Sequence, residues 1–283
     1  MLVNVETALH RFCARILGWS SDRADAVEHA VRSIDLAVER SAALVLLGDT
    51  DLVPIAYALH RRTLGAAPFV VCDVRRADID ATVRSATNYT SGVAGFTAAQ
   101  GGTLCLSYSR RPRDFSAVVA LARNLSTTVQ LMICGTARFD THPFLVLPAP
   151  IRVPSLVTRK TELSRIVDEF VIDALKELGG SKEHFTAADR TWVLEHSPRT
   201  LGEIEKATRR IVALRMEGNV PRAADKLGLS KSLVSKQVKR LETYLSAQLF
   251  HRTTRALGLT DDRLDQWRRE LLVNLQAVHS TIE

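Results

Sequence analysis

An α/β fold is predicted: a parallel sheet covered by helices, then a helical segment ending in two short helices that meet at a tight turn. Three features predict it. The apolar runs at 42–47, 69–72, 102–106 and 128–134 are short and lack polar alternation, as strands buried on both faces do. Segments of helical period separate them, which is the order of a parallel sheet with helices on both sides. Near the C-terminal end, Gly228 stands between two helical patterns and supplies a natural helix stop.

A length of 283 residues leaves room for a sizeable core and about two domains. With 46% hydrophobic and 24% charged residues the chain is globular rather than disordered. The opening MLVNVETALHRFC has no basic leader followed by an apolar core, and no apolar run approaches the ~18 residues that span a bilayer. A soluble cytoplasmic protein without a membrane partner is the expectation. Cys13, Cys72, Cys105 and Cys134 lie far apart, so buried free thiols are expected rather than disulfides or zinc.

In chain order, Ala26, Ala30, Ile34 and Ala37 or Val38 predict an amphipathic helix over 22–40. The run 42–47 ends in Gly48, a helix follows through Ile55 to Arg62, and the run 69–72 ends in Asp73. Pro143, Pro148, Pro150 and Pro154 mark the boundary to a helical segment. There Leu163, Ile166, Phe170 and Leu175 form a stripe ended by Gly179-Gly180, and helices follow over 186–195 and 201–216.

The stretch NVPRAADKLGLSKSLVSKQVKRLETYLSAQLFHRTTRALGLT carries the strongest functional signal. Ala223, Ala224 and Leu227 share one face of a first helix, and Val234, Val238 and Leu241 one face of a second over 231–244. Ser230 is placed to cap the second helix, and Leu229 to plug the angle between the two. This is a helix-turn-helix, and its second helix bears Lys231, Ser232, Ser235, Lys236 and Lys239. Ammonium groups bind phosphates and release counterions, while short hydroxyls near a helix N-terminus reach base edges in the major groove. From Gly218 to Thr260 eight Lys/Arg face two acids, so most of the chain's net charge of +7 is concentrated there. QLFHRTTRALGLT alternates like a hairpin wing, with Arg252 and Arg255, together with Arg222, available to the DNA backbone.

On Ala223-Ala224, Leu227, Val234-Ser235, Gln237, Leu241-Glu242, Leu249-Phe250, Arg252 and Leu259-Thr260, this segment resembles the winged helix-turn-helix of LysR-type transcriptional regulators. The resemblance implies that Lys231, Ser232, Ser235 and Lys236 face the bases. That family carries the module at its N-terminus and usually has Gln and Pro where this chain has Lys231 and Ser232, so no target sequence carries over.

A glycine after the first strand is where a phosphate loop of the form G-x-x-x-x-G-K-S/T would sit. Gly48-Asp49-Thr50-Asp51-Leu52-Val53-Pro54 has neither the second glycine nor the lysine, and its acids would repel phosphate. After the run 102–106 come Ser107 and Tyr108 rather than an Asp-Glu pair that would hold Mg²⁺. Asp49 and Asp51 read as solvated loop acids, with a remodelled ligand mouth as the other reading. His60, His142, His184, His196 and His251 show no metal or acid-paired spacing, and G-x-S-x-G is absent. The sequence predicts no catalytic residue, no metal and no cofactor.

LVLLGDTDLVPIAYALHRRTLGAAPFVVCD, GFTAAQGGTLCLS and LVLPAPIRVPSLVTRKTELSRIVDEFVIDAL resemble the AAA+ domain of bacterial enhancer-binding proteins, which activate transcription with an alternative sigma factor. The resemblance implies a degenerate P-loop AAA+-like parallel sheet with a helical lid, and a C-terminal position for the helix-turn-helix. The phosphate-loop and Asp-Glu motifs are both absent, so the domain is expected to be a pseudo-ATPase; the GAFTGA loop that engages the sigma factor is missing as well, with Asn88-Tyr89-Thr90-Ser91 in its neighbourhood. An active relative places arginines near the lid, where Arg152, Arg159 and Lys160 stand and read as surface charge.

The expected organisation is a degenerate AAA+-like α/β domain over 1–150, a helical lid over 151–212, a winged helix-turn-helix over 213–260 and a C-terminal helix over 261–283. In that last helix Leu264, Trp267, Leu271, Leu275, Val278 and Ile282 form a stripe suited to pairing with a second copy. The expected function is a non-enzymatic transcriptional regulator that binds double-stranded DNA as a homodimer and contacts RNA polymerase. Two alternatives stay open: an ATP-dependent sigma-factor-interacting activator, and an adaptor whose helix-turn-helix binds a protein.

Overall fold

The computed structural model describes residues 7–74, 86–124, 126–136, 149–196, 200–244, 251–252 and 257–258. By its internal contacts the chain divides into two units, Met1–Glu169 with Ser197–Lys206, and Phe170–His196 with Ala207–Glu283.

The first unit holds a five-stranded, all-parallel sheet in the order β2-β3-β4-β1-β5. Its strands are β1 (Leu44–Leu47), β2 (Phe69–Cys72), β3 (Thr103–Ser107), β4 (Gln130–Gly135) and β5 (Ile151–Arg152). β1 lies between β4 and β5, with Leu46 opposite Cys134 on one side and Ile151 on the other. Every residue of β1 to β4 is buried, the pattern expected of a sheet covered on both faces.

On one face Val45, Leu47, Val70, Leu104, Leu106, Leu131 and Ile133 pack with Phe96 of α4 (Gly92–Ala98) and Val118 of α5 (Phe115–Ala122). On the other, α3 (Val53–Thr63) brings the wholly buried His60 to Thr103, with Nδ1 and Oγ1 2.8 Å apart. The helix α2 (Ala24–Glu39) buries Val27, Ala30, Ile34 and Ala37 at helical spacing and packs on β1.

Two elements of this unit had no signal strong enough to predict. α1 (Ala8–Leu17) is capped by Thr7, whose hydroxyl accepts from His10 N at 3.1 Å, and it buries Phe12, Cys13, Ile16 and Leu17. β5 is two residues long and is fixed by its pairing with β1, not by any local pattern.

All four cysteines are free and buried, as expected of apolar-lined thiols. Burial pushes the Cys13 thiol up to about 12 and the Cys72 thiol up to about 11, which keeps both as unreactive thiols at neutral pH. Among the described residues no helix is long and apolar enough to cross a membrane.

The second unit is helical and contains α7 (Ala187–His196), α9 (Val220–Leu227) and α10 (Lys231–Tyr244). It also takes the C-terminal parts of α6 (Leu163–Leu178) and α8 (Leu201–Glu217). Its core joins Ala174, Leu175 and Leu178 of α6 and Val212 to Leu214 of α8 to the inner faces of α9 and α10. Gly179 and Gly180 end α6 as the sequence predicts; Gly179 has φ +76°, and a Cβ on Gly180 would stand 2.7 Å from Met216 Sδ. β6 (His251–Arg252) and β7 (Leu257–Gly258) pair antiparallel, so the expected hairpin is present in the backbone. The C-terminal helix expected over 261–283 lies outside the described residues.

Candidate nucleic-acid interface

The helix pair α9 and α10 is built from its caps and its small residues. Asn219 begins α9: its side chain accepts from Arg222 N at 3.2 Å, and Pro221 occupies the first turn, where a missing N–H costs nothing. Gly228 ends α9 in the left-handed conformation, φ +65° and ψ 34°, which only glycine adopts without strain. Two residues later Ser230 opens α10, its hydroxyl accepting from Leu233 N at 3.3 Å.

Ala223 and Ala224 are wholly buried, and their small size lets α10 come close. Val234 and Val238 of α10 are 0% and 4% exposed, while Leu229 in the turn packs, partly buried, on the same cluster. Burying each valine is worth roughly 1.5–3 kcal/mol, enough to fix which side of α10 turns inward.

With Val234 and Val238 inside, Lys231, Ser232, Ser235, Lys236 and Lys239 are all exposed on the other side of α10. The Oγ atoms of Ser230 and Ser232 lie 3.3 Å apart at the N-terminal end. Five of the eight residues expected to meet DNA are thus brought together on one helix face. Arg222 is on α9 and exposed, but its Nε lies 3.6 Å from Glu217 Oε2. Arg252 is placed only by its backbone, opposite Leu257 in the hairpin. Arg255 lies outside the described residues.

Sequence reasoning did not single out Glu217, the last residue of α8. Its carboxylate also accepts from Lys226 Nζ at 2.9 Å, so it faces two cations of α9 at once. The acid stands nine residues before Lys226, a spacing outside the helical i to i+4 rule, so no single-helix pattern reveals the pair.

The turn between β1 and α3, where a phosphate loop would lie, is packed at its two ends, Gly48 and Leu52, and exposed at Asp49 and Asp51 between them. Leu52 is 2% exposed, and a Cβ on Gly48 would stand 3.2 Å from both Leu52 Cδ2 and the Val153 carbonyl oxygen. Gly48 N donates to the Gly135 carbonyl at 3.0 Å, and Asp51 Oδ1 accepts from Val53 N at 3.2 Å in the first turn of α3. The Asp51 carboxylate therefore serves a local cap, and Asp49 is exposed as a loop acid.

Arg159 corrects the reading of the lid arginines as surface charge. Arg152 and Lys160 are exposed, but Arg159 is 5% exposed and donates to the carbonyls of Ile16 at 3.0 Å and Arg15 at 2.9 Å. Those are the last-turn carbonyls of α1, which lack intrahelical partners, and a guanidinium satisfies two of them. Its Nε donates to Glu162 at 2.8 Å, so its charge is compensated. Among the described residues no three His, Cys, Asp or Glu side chains are grouped to hold a metal ion.

Comparison with known proteins bears on the helix pair directly. Residues 206–262 match the bacterial regulatory helix-turn-helix protein of the lysR family. An HTH-type transcriptional regulator of Xanthomonas campestris is 53% identical over 45 residues, which cover 16% of this chain and 13% of that one. An HTH-type transcriptional repressor of Pseudomonas aeruginosa is 56% identical over 45 residues, 16% and 14% of the two chains. PtxR of the same species is 52% identical over 50 residues, 18% and 16%. The match thus spans less than a fifth of these relatives. Among solved structures, NtrX of Brucella abortus in complex with ADP is similar at a TM-score of 0.42 and 14% identity, over 82% of this chain and 71% of that one. RuvB of Thermotoga maritima is similar at 0.39 and 10% identity, over 88% and 95%. The segment 206–262 is a C-terminal helix-turn-helix of the LysR type.

Proposed function

We propose that this chain is a DNA-binding transcriptional regulator that reads duplex DNA through α10. The observation that carries the reading is the exposed face of Lys231, Ser232, Ser235, Lys236 and Lys239 on a helix whose other side is pinned by Val234 and Val238. The lysines meet phosphates, and the serine hydroxyls reach base edges from the N-terminal half of the helix. Arg222 on α9, with Arg252 and Arg255, extends the contact along the DNA backbone. The protein works in the cytoplasm as a homodimer paired through its C-terminal helix, so that two reading heads meet two half-sites. It contacts RNA polymerase once it is on the DNA.

The upstream α/β unit is read as an AAA+-like domain that does not hydrolyse nucleotide. The turn after Gly48, which carries neither the second glycine nor the lysine of a phosphate loop, and the commitment of Arg159 to α1 support that reading, because an ATP site would use those groups. The chain is organised as the α/β domain over 1–150, a lid over 151–212, the winged helix-turn-helix over 213–260 and the pairing helix over 261–283.

Fluorescence-anisotropy titration of random duplex DNA at two salt concentrations, with and without ATP-Mg²⁺, tests both halves. Salt-sensitive binding that ignores ATP is expected. An affinity that changes with ATP would favour the ATP-dependent activator, and an absence of DNA binding would favour a protein-binding adaptor.

A further inference from the structure

Glu217 is the acidic neighbour of the cations that α9 turns toward solvent. Its side chain is 18% exposed, and it faces Lys226 Nζ at 2.9 Å and Arg222 Nε at 3.6 Å. The two cations are accessible from outside: the Arg222 side chain is 74% exposed and that of Lys226 32%. A carboxylate that is mostly buried needs such partners, and one that faces both of them neutralises charge on α9, the first helix of the pair.

We infer that Glu217 is a specificity-determining residue of the DNA interface, competing with backbone phosphate for Arg222 and Lys226; this rests on the reading of α9 and α10 as that interface. A cation that neutralises a phosphate releases counterions and adds to affinity on any sequence. A cation already held by a protein carboxylate adds less, because the ion pair must open before a phosphate can replace it. Loosely docked, non-specific complexes therefore gain little from Arg222 and Lys226. A docked complex that presses a phosphate against α9 exchanges one partner for the other. Glu217 thus lowers the affinity for wrong sites more than for right ones, which is discrimination by a built-in competitor.

The test is anisotropy titration of the full chain with random-sequence duplex DNA across a salt series, comparing wild type, Glu217→Gln, Arg222→Ala/Lys226→Ala, and all three changes together. Gln keeps the shape of Glu, and circular dichroism of each variant checks that the helices remain. Glu217→Gln is expected to tighten binding about fivefold at low salt and to steepen the slope of log K against log salt by about one to two, since each added phosphate contact contributes ~0.9. In the background lacking both cations the same change is expected to do nothing. Salt-sensitive wild-type binding that Glu217→Gln leaves unchanged in affinity and slope overturns the inference and leaves the DNA reading intact. A gain of equal size in the background without Arg222 and Lys226 also overturns it, because the effect would then be general charge and not competition for those two. If neither wild type nor variant binds duplex DNA, the DNA reading fails and the inference falls with it.

Discussion

Arg215 grips Asp189 with two nitrogens, Nη2 to Oδ1 at 2.9 Å and Nε to Oδ2 at 3.3 Å. Asp189 is 2% exposed at its side chain and Arg215 13%, and the same carboxylate accepts from Thr186 N at 2.9 Å and Thr186 Oγ1 at 2.8 Å. One acid therefore secures the start of α7 and holds it to the end of α8, two residues before Glu217. Removing one partner of a buried pair leaves the other charge uncompensated, at a cost of roughly 3–5 kcal/mol. Asp189→Ala is expected to lose about that much in chemical denaturation, with Asp189→Asn losing less. A loss below about 1 kcal/mol would mean that solvent already shares Arg215.

His60 makes the α/β unit sensitive to acid. Its Nε2–H donates to the Ala67 carbonyl at 2.9 Å, which leaves Nδ1 to accept from the Thr103 hydroxyl at 2.8 Å. Burial holds its pKa below the ordinary histidine value. The unfolded chain takes up a proton near pH ~6.5, while the folded chain resists it. The stabilisation is thus complete above about pH 6.5 and declines as pH falls from there through the folded value. The melting temperature of wild type is expected to drop more steeply between pH 7.5 and 5.5 than that of His60→Gln; equal slopes would remove His60 from the account.

Gly102 sits at the start of β3, where a Cβ would collide with the Pro68 carbonyl oxygen. The obstacle is backbone, and Thr103 N already donates to that oxygen at 2.8 Å, so the strand cannot move aside without losing its first bond. Gly102→Ala is expected to destabilise by roughly 3 kcal/mol in a denaturant titration. Gly65→Ala, at φ +62° with nothing within 4 Å, should cost only the ~1–2 kcal/mol of its backbone conformation.

The caps of the helix pair give a graded check. Asn219→Ala and Ser230→Ala each remove an oxygen that accepts from a first-turn N–H, at about 1 kcal/mol apiece. Hydrogen exchange of α9 and α10 is expected to speed up in each variant while β1 to β4 keep their protection. Faster exchange throughout would show that the two units do not open separately.

The strands and most helices were legible because their signals are local. Val70, Val71 and their counterparts are buried on both faces, so unbroken apolar runs mark them, and the helix stripe from Leu163 to Leu175 repeats with the helical period. The helix-turn-helix was legible for the same reason: Ala223-Ala224, Gly228 and Ser230 each meet a short-range steric or capping demand. What escaped depends on partners distant in sequence. β5 exists because β1 lies beside it. Arg159 looks like any basic loop residue until the end of α1, more than 140 positions earlier, supplies its carbonyls. Glu217 acquires its role only when α9 folds back to bring Lys226 within 2.9 Å.

Whether α10 is the reading head is tested most directly by the salt dependence of duplex binding in Lys231→Ala/Lys236→Ala beside a charge-matched control at two exposed lysines outside the 206–262 segment, Lys176→Ala/Lys182→Ala. Removing two phosphate contacts should reduce the slope of log K against log salt by about two and weaken binding to every sequence, whereas the control should leave the slope near wild type. Equal losses in the two variants would mean that DNA senses only net charge, and an unchanged slope in the Lys231/Lys236 variant would contradict the assignment of α10 to the DNA.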